Sequence, residues 1–143
     1  MADPRLDVSV VGIGENCLTA KGDGSTVNYS ATANGGSTAV GLAVNFSAAG
    51  TVQLVADGEA VVGKLIKVDS DDIATVQYRG GMTLPGGSGA SLTLNNAIVG
   101  ALGAESAEGY IRDAASGTAA ELVLARGFIC DAGTTTAVEV MLD

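Results

Sequence analysis

The chain reads as an all-β protein: a small β-sandwich or β-barrel-like domain carrying an extended N-terminal arm. Three observations predict this. Short apolar runs are separated by Gly, Asp, Asn and Ser at intervals of about 8–12 residues, the spacing of sandwiches and barrels. There are 21 glycines and 2 prolines with no Gly-X-Y period, which indicates many tight turns and excludes collagen. The stretch from Gly63 to Leu84, GKLIKVDSDDIATVQYRGGMTL, places two arms rich in β-branched residues around the polar break Asp69-Ser70-Asp71-Asp72. That is the grammar of a hairpin.

In chain order, residues 1–11 read as the arm, with Leu6 to Val11 (LDVSVV) able to extend as a strand before Gly12 and Gly14 break it. Residues 12–143 read as one β-rich domain, with a subdomain break considered near Gly58. Cys17–Ala20 is a short strand closed by the turn Lys21-Gly22-Asp23-Gly24. Val27–Ala31 is a weak strand, followed by a loop through Asn34-Gly35-Gly36. Val40–Phe46 and Thr51–Ala56 are strands, and Asp57-Gly58 is a turn. After the central pair, Pro85–Gly89 is a loop, and Leu92-Thr93-Leu94 is short and extended. Asn95–Leu102 and Ala119–Ala125 fit either strand or helix. Tyr110–Arg112, Gly127–Cys130 and Ala137–Leu142 complete a set of about ten strands, the last alternating Val138, Val140 and Leu142 with Glu139 and Met141.

Composition bounds the function. The chain is 47% apolar but only 3% aromatic, so its core is built from small side chains. Each contributes little buried area at about 25 cal/mol per Å². A thin core of this kind gains stability by association. The net charge of −9 comes from 16 acidic and 7 basic residues. No basic stripe is available for nucleic acid, and anionic membranes are disfavoured. No apolar run approaches the roughly 20 residues that span a bilayer, and the opening MADPRLDV lacks the apolar core of a signal peptide. The sequons at Asn28 and Asn45 then read as loop and strand-end residues. Cys17 and Cys130 show no metal-ligand spacing and read as two free buried thiols; pairing requires that the chain's two ends lie in neighbouring strands.

No motif carries chemistry. Gly58–Lys64 satisfies GxxxxGK, but Leu65 stands where Ser or Thr must hold Mg²⁺, and Glu59 repels phosphate. Gly12-Ile13-Gly14 opens a dinucleotide fingerprint that Cys17 interrupts. Asp69, Asp71 and Asp72 form the densest carboxylate cluster. As an EF-hand it fails at its sixth and twelfth positions, Ala74 and Gly80, so it reads as a solvated turn or a loose surface cation site. The chain has no histidine, which removes the common triads, the commonest general base and most zinc sites. A carboxylate pair could still cleave glycosides, but the aromatic residues that line such clefts are scarce. Arg79-Gly80-Gly81 is a single RGG, a strand end rather than an RNA-binding tract. The residues predict no enzyme, no cofactor and no bound metal.

Three stretches together carry a resemblance. They are the run from Asp57 to Gly80 (DG-x₄-GKLIKVDSDDIATVQYRG), MTLPGG at 82–87 with LTLNNAIVGA at 92–101, and the closing RGFICDAGTTTAVEVMLD from Arg126 to Asp143. This layout, covering roughly residues 40–143, is similar to the head-decoration (cement, or minor capsid) proteins of tailed bacteriophages. The resemblance implies a β-rich structural protein without catalytic residues. It would be made in the host bacterial cytoplasm and would bind the outer surface of the assembled capsid. There it would clamp neighbouring major capsid protein subunits at symmetry axes, often as a homotrimer. An N-terminal arm that adds a strand to the capsid protein would make Arg5, Leu6, Val8 and Val10 its candidate contacts. The alternative is a multimeric β-module of a phage tail, fibre or surface-adhesion protein that binds a receptor or glycan, with Ca²⁺ at Asp69, Asp71 and Asp72.

Overall fold

A computed structural model describes residues 16–134 and 137–143. It is mostly β, with 43% of residues in strands and 11% in helix. Its strands are β1 (Cys17–Gly22), β2 (Ala43–Ala48), β3 (Thr51–Leu54), β4 (Gly63–Val68), β5 (Ile73–Gln77), β6 (Gly80–Leu84), β7 (Ile98–Ala101), β8 (Tyr110–Asp113), β9 (Phe128–Thr134) and β10 (Ala137–Leu142). One short α-helix, α1 (Ala119–Leu124), precedes β9. The predicted arm strand at Leu6–Val11 lies outside the described residues.

The first five strands close into a barrel in the order β1-β3-β2-β4-β5 and back to β1. Every pairing is antiparallel except β1 with β3. A parallel pair cannot be joined by a tight turn. The chain instead passes from β1 to β2, on the far side of β3, through the long irregular connection from Asp23 to Leu42. Val27–Ala31 is therefore not the expected strand. The Asp23 carboxylate accepts the N–H groups of Ser25, Thr26 and Val27 at 3.1, 2.9 and 2.7 Å, curling the chain and burying Val27. The Thr26 hydroxyl then accepts the Leu54 N–H at 2.9 Å and ties the curl to β3.

The predicted hairpin at 63–84 forms, but it holds three strands. β4 and β5 flank the turn, and the chain then leaves the barrel as β6. The turn closes with Asp69 N–H to Ile73 O at 2.9 Å, and Asp72 occupies the left-handed region at φ 62°, which Asp tolerates better than most residues. A register shift between Leu65 and Lys67 marks a bulge. The bulge leaves Ile66 and Lys67 both facing out while Leu65 and Val68 stay buried.

After the barrel, β6-β10-β9 form one antiparallel sheet and β7-β8 a two-stranded one. Asn95–Leu102 resolves as a strand, β7, and Ala119–Ala125 as the helix α1. Leu92-Thr93-Leu94 is not a strand: Thr93 N–H donates to the buried Asp113 carboxylate at 3.0 Å, as does the Asn96 side-chain amide at 3.1 Å, so a side chain takes the place of a ladder.

Buried apolar side chains gather in two clusters. One fills the barrel with Ala20, Val27, Ala39, Val44, Val52, Leu65, Val68, Ala74 and Val76. The other joins Met82, Leu84, Ile98, Ile111, Ile129, Val138, Val140 and Leu142 to Ala43, Val55 and Val61 from the barrel side. Main-chain bonds stitch the two together. Gly58 N–H reaches Gly100 O at 2.9 Å, and Gly100 N–H reaches Glu59 O at 2.8 Å. Gly100 must be glycine, because a Cβ there would overlap Ala56 O and the Val55 side chain. The Arg126 guanidinium adds a clamp, donating to the carbonyls of Val62 and Tyr78, each at 2.6 Å, and to the main-chain oxygen of Asp143 at 2.7 Å.

Candidate interaction surfaces

The candidate capsid contacts Arg5, Leu6, Val8 and Val10 all lie outside the described residues. Among the described residues, no group of three or more Asp, Glu, Cys or His side chains gathers in a way that could hold a metal. The carboxylates at the β4–β5 turn are already engaged. Asp69 lies 3.4 Å from Lys67, Asp71 accepts the Ile73 N–H at 3.2 Å, and Asp72 accepts the Tyr29 N–H at 2.8 Å. The first two bonds lie within the turn, the third ties it to the β1–β2 connection, and the three side chains form no metal-holding group. The GxxxxGK segment is divided between a turn at Gly58 (φ 75°) and the start of β4, and Glu59 accepts from the Asn45 amide at 2.8 Å. The RGG leads into β6, whose first two residues are Gly80 and Gly81. Both cysteines are free, as expected, but the expectation that they are buried is corrected: Cys17 is half-buried and Cys130 exposed, because each alternates outward on its strand.

The described surface is organised by three features. The first is α1. Thr118 and Glu121 form a reciprocal cap, with Thr118 N–H donating to the Glu121 carboxylate at 2.7 Å and Glu121 N–H to the Thr118 hydroxyl at 3.4 Å. Arg112 reaches across from β8 to Glu121 at 2.7 Å and to Asp57 at 3.0 Å. The Arg112 guanidinium, with the Thr118 N–H, holds the Glu121 carboxyl below its usual value. This anchors a helix that buries none of its residues. Leu122, Val123 and Leu124 all face solvent, Val123 at 84% exposure.

The second is the outer face of the β6-β10-β9 sheet. β10 alternates strictly, so Val138, Val140 and Leu142 go in while Glu139 and Met141 go out. Register places Met141 between Gly81 and Phe128, and Glu139 between Thr83 and Asp131. Phe128 is 43% exposed and Met141 37%. No basic residue occurs on these three strands.

The third is the barrel wall formed by β1, β5 and β4. Its outward rows are Cys17–Gln77–Lys64 and Thr19–Thr75–Lys67, with Lys21 opposite Ile73 beyond them. Asn16, Cys17, Ile66 and Gln77 line a depression of about 280 Å³ in this wall. Nothing in the local sequence marks it, since Lys21 and Lys64 meet on one wall only through the barrel register.

No family model, curated protein or solved structure matches this chain.

Proposed function

We propose that this protein is a structural decoration protein of a tailed-phage head. In this reading it binds the outside of the assembled shell, stabilises contacts between major capsid protein subunits, performs no chemistry, and acts as a homo-oligomer with a trimer favoured. The observation that carries the reading is the α1 ridge. Leu122, Val123 and Leu124 are presented to solvent on a helix fixed by a capping box and an Arg112–Glu121 ion pair. Apolar side chains held rigidly outward mark a protein-interaction surface. The resemblance in residues 40–143 supplies the partner. Many weak contacts repeated over a lattice then give retention by avidity.

The test is co-sedimentation with empty tailed-phage heads assembled from a major capsid protein alone. Stoichiometric, saturable pelleting supports the reading, and Val123→Asp should reduce it at least tenfold without changing the melting temperature. Failure to pellet, together with binding to a receptor or glycan that responds to Ca²⁺, would favour the tail, fibre or adhesion module instead. The engagement of Asp69 by Lys67, of Asp71 by the Ile73 N–H and of Asp72 by the Tyr29 N–H weighs against that alternative.

A further inference from the structure

An ordinary surface helix is held by the apolar face it buries. The helix α1 reverses this. None of its residues is buried, and Leu122, Val123 and Leu124 face solvent. Its 6 residues also fall well short of the roughly 12–15 at which a helix begins to persist alone in water. What holds it is polar and converges on one side chain. One Glu121 carboxylate oxygen accepts from the Arg112 guanidinium at 2.7 Å, and the other accepts from the Thr118 N–H at 2.7 Å. The same group therefore caps the helix and ties it to β8. Arg112 in turn bonds Asp57 at 3.0 Å, in the connection between β3 and β4. Two glycines make room for the carboxylate: a Cβ on Gly58 would overlap one Glu121 oxygen, and a Cβ on Gly117 the other.

The two ends of this segment are fastened elsewhere. Ala114 is fully buried and its N–H donates to Ala97 O at 2.9 Å. Arg126 exchanges main-chain bonds with Ile98, both at 3.1 Å, and its guanidinium grips the Val62 and Tyr78 carbonyls. Between these posts, residues 118–125 cross the surface without contributing a buried side chain.

We infer that residues 118–125 are a strap, latched through Glu121 to β8 and the Asp57–Gly58 turn, which opens as a unit while both its ends stay pinned. Opening needs only the loss of the Glu121 seat, because that one group supplies both the cap and the tie of a helix too short to stand alone. The charged groups facing Glu121 are Arg112 from β8 and, beyond it, Asp57 from the β3–β4 connection. The Arg112 guanidinium, followed by the Thr118 N–H, holds the Glu121 carboxyl below its usual value. The latch is therefore complete above the unfolded-state value of about 4.3 and is lost as pH falls through the lower folded value. Acid would then withdraw the apolar ridge from a partner. That consequence rests on the head-binding reading, whereas the strap is a property of the free chain.

The experiment is amide hydrogen exchange on the free full chain, corrected for the intrinsic rate at each pH. The wild type is compared with Glu121→Gln and Gly117→Ala. Gln keeps the shape and can still cap, but it offers Arg112 no charge. Ala at position 117, where φ is −102°, needs no left-handed backbone but drives its Cβ into the carboxylate. At pH 7 both variants should lose at least tenfold protection across 118–125, with β7, β8 and β9 unchanged. Thermolysin, which cuts before large apolar residues, should nick both at Leu122–Leu124 at least tenfold faster than the wild type. In the wild type the same segment should lose protection below about pH 4 while the flanking strands keep theirs, and Glu121→Gln should show no such step. Equal protection in the wild type and both variants overturns the latch. Loss that spreads to β7, β8 and β9 along with the strap overturns the pinned ends. Heads play no part in these measurements, so failure of the strap and failure of the head-binding reading are told apart.

Discussion

The barrel and the sheets that follow it solve the same problem with different materials. The barrel's buried set contains one side chain larger than valine, Leu65. The second cluster contains Met82, Leu84, Ile98, Ile111, Ile129 and Leu142. Strand number explains the difference. Barrel diameter grows with strand count, and about eight strands are needed before the interior takes ordinary side chains freely. Five strands leave room for Ala and Val. The barrel therefore relies on a hydrogen-bonded ladder with no open edge, whereas the later region relies on apolar volume and, among the described residues, exposes the apolar side chains of α1 and those of Phe128 and Met141. Closure makes the barrel wall rigid, and openness leaves Phe128 and Met141 of the later strands exposed.

The comparison can be broken where apolar volume matters most. Ile111 is fully buried in the second cluster, and Ile111→Ala should cost about 2–5 kcal/mol in denaturant unfolding. A loss below 1 kcal/mol would mean that this region does not depend on large side chains. The seam comes next. Arg126→Ala strips donors from the Val62 and Tyr78 carbonyls, at a cost of about 1–3 kcal/mol for each buried group left unpaired. It should lower the unfolding midpoint of both regions together when each is followed by hydrogen exchange. If only the later strands loosen, the clamp does not couple the two. In the narrow barrel the sign of the size effect reverses. Ala74 has no exposed surface, and Ala74→Leu should overpack it by about 1–3 kcal/mol, whereas enlarging Val138 to Ile in the roomier cluster should cost less.

The smaller effects sharpen the picture. Asp23→Ala removes the cap of the β1 connection and should cost about 1 kcal/mol. Burial alone would raise the Asp23 pKa. The N–H groups of Val27, Ser25 and Thr26 and the Thr26 hydroxyl outweigh it and hold the carboxyl below its usual value. Its contribution is therefore complete above the unfolded-state value near 4 and is lost as pH falls through the lower folded value. Asp23→Asn should flatten the acid limb of the stability curve; an unchanged limb would deny the carboxylate this role. Val123→Asp, at the most exposed apolar position, should change stability by no more than about 0.5 kcal/mol. A larger loss in melting experiments would show that α1 supports the fold instead of a partner.

Legibility followed locality. β10 could be read from the alternation of Val138, Val140 and Leu142, and the β4–β5 hairpin from its Asp-rich turn, because each signal lies within a few residues. Thr118 and Glu121 spell a capping box, but Leu122-Val123-Leu124 after it has no amphipathic pattern. The segment stayed ambiguous because the helix does not bury a face. β6 was hidden by its two leading glycines, which resemble a turn. The parallel closure of β1 on β3 leaves no local trace, and the cap that replaces a strand at Val27–Ala31 depends on Asp23 and on contacts to β3. The charged wall was the least legible feature. Lys21, Lys64 and Lys67 are scattered in the sequence and come onto one wall only through the register of three strands.

The most direct test of the central claim is amide hydrogen exchange on the chain with and without saturating empty heads. The account predicts slowed exchange across Thr118–Ala125 on binding, with no change in the interior strands of the barrel. A chain that binds heads stoichiometrically while α1 exchanges at its free rate would contradict it.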